Sequence, residues 1–75
     1  MSTSELKGKI RRTERELKRA EEKQRRLVNR YTELRHAKAP ENIMARYRLE
    51  LNGATDHINE LRLQLWGLNN LSLPA

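Results

Sequence analysis

Apolar residues recur along this chain at two regular and matching sets of intervals. In the first half Leu6, Ile10, Thr13, Leu17, Ala20, Gln24, Leu27, Tyr31 and Leu34 alternate spacings of four and three. In the second half Met44, Tyr47, Leu51, Ala54, Ile58, Leu61, Leu65 and Leu68 do the same, starting from three. Both series have the a/d periodicity of a coiled-coil seam. Thr13 and Gln24 are the polar interruptions.

Between the two series lies Lys38-Ala39-Pro40-Glu41. Proline disfavours the helical region for the residue before it and suits the first position of a new helix. If the chain reverses there, facing seam residues must have position numbers with a constant sum. Leu34 with Met44, Tyr31 with Tyr47 and Leu27 with Leu51 each sum to 78, and so do Gln24–Ala54, Ala20–Ile58, Leu17–Leu61, Thr13–Leu65 and Ile10–Leu68. Every layer then pairs an a with a d position, as antiparallel packing requires, and small Ala20 meets large Ile58. The pattern predicts an all-α fold, a two-helix antiparallel coiled-coil hairpin in a single domain over residues 1–75. Helix 1 is expected over about 3–37, the turn over 38–41, helix 2 over about 41–69 and a frayed tail over 70–75. Ser2 and Glu5 have capping-box spacing at the start of helix 1. Asn52-Gly53 is turn-like. Because the heptad passes through Ala54 without a change of phase, a continuous or slightly bent helix is expected there.

Length limits what such a hairpin does alone. A chain of 75 residues without Cys has no disulfide or thiolate metal site to supplement one seam. Apolar residues remain outside the seam: Val28, Ile43, Leu49, Leu63, Trp66, Leu71 and Leu73. Leu63 and Trp66 share a helix face, and Leu61–Ala75 holds one charge, Arg62. A Leu-rich, charge-poor segment carrying the single Trp is expected to be a contact surface. Leu49, Leu63, Trp66, Leu71 and Leu73 are its candidate residues, and a homodimer forming a four-helix bundle is the simplest assembly. The alternative is that Trp66 folds over the end of its own hairpin.

Charge divides the chain unequally. Residues 1–39 hold 13 Lys/Arg against 6 Asp/Glu, net +7, while residues 40–75 hold 3 against 4, net −1. Basic doublets Arg11-Arg12, Lys18-Arg19 and Arg25-Arg26 recur every seven residues on outward positions, with Arg15 between them. This row suits a polyanionic partner, either an acidic protein surface or nucleic acid. It is equally what a solvated helix face looks like. Glu14, Glu21 and Glu22 stand four residues before Lys18, Arg25 and Arg26, so i,i+4 pairing is expected to neutralise part of it. No aromatic residue is interleaved for base stacking, and no helix-turn-helix, zinc-finger or bZIP pattern is present.

Enzymatic patterns are absent. The glycines are isolated, Ser occurs only near the ends, and His36 and His57 are far apart. Asp56 and Glu60 share a face as an ordinary solvated pair. No catalytic or metal residue, cofactor or small-molecule substrate is expected. The longest uncharged stretch, 63–75, is too short and polar to span a membrane, and the first residues have no apolar signal core. A cytoplasmic protein with no membrane partner is expected. The functional expectation is a non-catalytic module that binds and regulates another protein by inhibiting, adapting or chaperoning it. A nucleic-acid-binding hairpin is the alternative, and a structural subunit of a larger assembly is a third possibility.

Overall fold

A computed structural model describes residues 2–71. They form two long helices and no strand: α1, Thr3–His36, and α2, Glu41–Leu71. The helices pack antiparallel into a rod of 55 × 14 × 14 Å. The fold is an all-α helical hairpin.

Local chemistry explains each helix end. The Ser2 hydroxyl accepts from the Glu5 backbone N–H at 3.2 Å, so one orphan donor of the first turn of α1 is satisfied. At the other end, the Lys38 N–H donates to the Arg35 carbonyl at 3.1 Å and the Ala39 N–H to the Leu34 carbonyl at 3.0 Å. These two bonds, with Lys38 left-handed at φ 58°, make a Schellman cap. Lysine has a Cβ that clashes in this region, so the cap stores strain that glycine would not. Helix α2 begins at Glu41, as expected, with Pro40 directly before it. Its carbonyl accepts from Ile43 and Met44, each at 3.1 Å, so it is the N-cap residue of α2 and not its first helical residue.

Helix α2 runs through Asn52-Gly53 without a break and passes Gly67 and Asn69-Asn70 to end at Leu71. Seam packing holds the glycines in helical conformation against their weak propensity. Positions 70 and 71, expected in a frayed tail, are helical, and positions 72–75 lie outside the described residues.

Every a/d position is buried or half-buried. The deepest point is in the middle of the rod, where Ala20, Ile58 and Leu61 cluster with Leu17 against them. Ile58 is 2% exposed and Leu61 3%. The small Ala20 side chain leaves room for the larger side chains opposite. Both polar seam residues are satisfied. Buried Thr13 donates to the Lys9 carbonyl at 2.8 Å, and Gln24 donates through Nε2 to Thr55 Oγ1 across the seam at 3.0 Å. No buried side-chain N or O among the described residues lacks a partner. The polar interruptions therefore cost less than an unpaired group would.

Candidate interaction site

Leu49, Leu63, Trp66 and Leu71 all project from α2 away from the seam, at 73%, 70%, 68% and 70% exposure. They do not form one patch. Trp66 and Leu63 line a shallow concavity together with Asn59 and Arg62. Leu71 and the other side of Leu63 belong to a second groove, which is floored by Thr13, Gly67 and Leu68 and edged by Lys9 and Arg12. Leu49 is two heptads from Leu63, about 21 Å along the helix, and stands apart. Leu73 lies outside the described residues. Trp66 does not fold over its own hairpin; it remains open to solvent.

The basic row is exposed throughout: Arg11, Arg12, Arg15, Lys18, Arg19, Arg25 and Arg26 all face outward from α1. The expected neutralisation does not occur. None of Glu14–Lys18, Glu21–Arg25 or Glu22–Arg26 forms an ion pair; the ion pairs among the described residues are Arg30–Glu33, Arg48–Glu41 and Arg62–Glu21. Glu21 instead reaches across the hairpin to Arg62, at 3.3 Å. Arg12 bonds only to a backbone carbonyl, that of Gly8, at 3.4 Å. The seven cations of the row thus carry their charge without a carboxylate partner.

Near the turn, an arrangement not evident in the heptad pattern joins the helices. The Arg30 guanidinium is held above its ordinary pKa first by Glu33 and then by Tyr47 of the opposite helix. Arg48 is likewise raised, first by Glu41 and then by Tyr31. The two arginines flank the Tyr31/Tyr47 layer from opposite helices. The constant-sum rule predicts it in outline, because Arg30 and Arg48 also sum to 78. Both groups are exposed, so these contacts organise the surface more than they stabilise it.

The two broad sides of the rod differ. One is crossed by Glu21–Arg62 and Gln24–Thr55, which tie the helices together. On the other, the furrow between the helices stays open. Its middle is lined by Ala20, Lys23, Glu50, Gly53, Ala54 and His57, and the Leu63/Leu71 groove continues it toward the open end. No group of three His, Asp or Glu side chains suited to a metal occurs among the described residues. His36 and His57 are exposed on different helices, and Asp56 and Glu60 form no ion pair. No helix among the described residues is long and apolar enough to cross a membrane.

Compared with family models, curated proteins and solved structures, the chain matches none.

Proposed function

We propose that this hairpin is a non-catalytic interaction module that binds another protein and regulates it. One observation carries the proposal: Trp66 and Leu63 stand 68% and 70% exposed on a helix whose seam side is already filled. A Trp left in water beside a Leu, with Arg62 and the Asn59 amide at the rim, has the composition of an interface hot spot. A rigid helix pair presents such a side chain at little entropic cost on binding.

Affinity capture with the wild-type chain and with Trp66→Glu, followed by mass spectrometry, tests this. Specific proteins retained by the wild type and lost from the variant are expected, with equal helicity by circular dichroism. A captured set that is the same for both would refute the Trp66 surface.

The unpaired basic row favours a second reading, binding of nucleic acid by α1. Neutralising phosphates with such a row releases counterions, so affinity would fall steeply with salt. Arg12→Ala/Arg19→Ala/Arg26→Ala would then weaken binding to every sequence alike and flatten the salt dependence. Fluorescence anisotropy with duplex and single-stranded DNA and RNA at low salt decides it, and no wild-type signal would exclude it.

A further inference from the structure

The open side of the rod differs from the tied side in charge as well as in shape. On α1 its rim carries Lys9, Arg12, Glu16 and Lys23; on α2 it carries Glu50, His57 and Gln64. The imbalance extends over whole helices. From Thr3 to His36, twelve Lys/Arg against six Glu give +6; from Glu41 to Leu71, three Arg against four acids give −1. The floor is apolar and low, formed by Thr13, Ala20, Gly53, Ala54, Gly67 and Leu68. A Cβ added at Gly53 or Gly67 would meet nothing within 4 Å, so the hairpin itself does not fill this space.

We infer that a second copy of this chain packs on the open side, with its two-fold axis parallel to the rod, making a four-helix bundle in which α1 of each copy lies against α2 of the other. Charge selects both the occupant and the symmetry. Two hairpins stacked on these sides have two simple dyads. A dyad across the rod places α1 on α1 of the second copy and sets its basic rim, Lys9, Arg12 and Lys23 against one Glu16, on the same rim of the copy. A dyad along the rod places each basic α1 on the acidic α2 of the other copy and keeps all neighbouring helices antiparallel. Like charges facing one another are strongly disfavoured, so the second arrangement wins. Leu71, the inner side of Leu63 and the rim residue Arg12 are covered in it, while Trp66 and the doublets Lys18-Arg19 and Arg25-Arg26 remain outside. The inference goes beyond the partner-binding function, because Trp66 does not line this groove, although Leu63 lines both surfaces.

The absence of cysteine allows a clean test. Spin-labelled Lys38→Cys at the turn reports the dyad by pulsed electron resonance. With the axis along the rod, both turns lie at one end, about 10–25 Å apart for helices packed 8–10 Å from their neighbours. With the axis across the rod, the labels would be separated by nearly the 55 Å length. Light scattering should give twice the monomer mass for the wild type. Gly53→Lys, which replaces a poor helix former with a good one, should give a monomer of undiminished helicity. A monomeric wild type, a dimeric Gly53→Lys or a long turn-to-turn distance would each overturn the inference. Trp66→Glu should stay dimeric, so loss of partner capture in that variant and loss of the dimer in Gly53→Lys are read independently.

Discussion

At the middle of the rod, Ile58 and Leu61 are buried against Ala20 and Leu17, whereas nearer the turn Tyr31, Tyr47 and Leu51 stay half-exposed. The seam pattern is the same in both regions. Side-chain size makes the difference. In the middle, small Ala20 opposite Ile58 lets the backbones approach. The layer of two tyrosines has no small residue opposite, and its flanks are left to Arg30 and Arg48, whose long stems suit such partial cover. The buried cluster therefore lies in the middle, while nearer the turn Met44 is buried at 6% exposure beside the half-exposed tyrosines.

Substitutions separate the two regions. Ile58→Ala should cost about 2–5 kcal/mol in urea unfolding, as expected for a buried aliphatic truncated to a cavity. Leu51→Ala, in the half-buried region, should cost about 1–2 kcal/mol because less area leaves water. Equal losses would break the contrast. Next in size, Ala20→Leu should destabilise by about 1–3 kcal/mol, since the space opposite Ile58 is already occupied. A neutral result would mean the middle is loosely packed. Lys38→Gly should stabilise by about 0.5–1 kcal/mol, as relief of left-handed strain exceeds the added chain entropy of glycine. That gain would appear as a higher thermal midpoint, and a loss would contradict the cap geometry. Glu21→Gln, which breaks an exposed cross-helix pair, should cost less than about 1 kcal/mol and less still in high salt.

The path of the chain was legible in the sequence because period and register are one-dimensional. Alternating spacings named the seam, and the constant sum located the reversal beside Pro40. The Gln24–Thr55 hydrogen bond fits that register, lying one residue from the Gln24–Ala54 layer. Side-chain pairing on the surface was not legible. Glu21 has Arg25 four residues away on its own helix and Arg62 across the hairpin, and only three-dimensional proximity decides between them. The Schellman cap was hidden for a related reason: glycine is the usual signal for a left-handed C′ residue, and here Lys38 occupies it. Exposure of Trp66 and Leu63 follows from the heptad, because both lie outside the a/d series. The difference between the two sides of the rod does not, since it depends on which rim residues bridge.

The left-handed lysine also bears on how fast the hairpin forms. In the expected register, Leu34 and Met44 at the turn are ten positions apart, while Ile10 and Leu68 at the open end are 58 apart. Closing the longer loop first would cost about 1.5 kcal/mol more in chain entropy. Folding is therefore expected to start at the reversal and zip outward, with the open end the last to join and the first to exchange its amides. Lys38 lies inside that starting nucleus, so its strain is felt on the way in. Lys38→Gly should then act mainly by speeding folding, with little change in the unfolding rate.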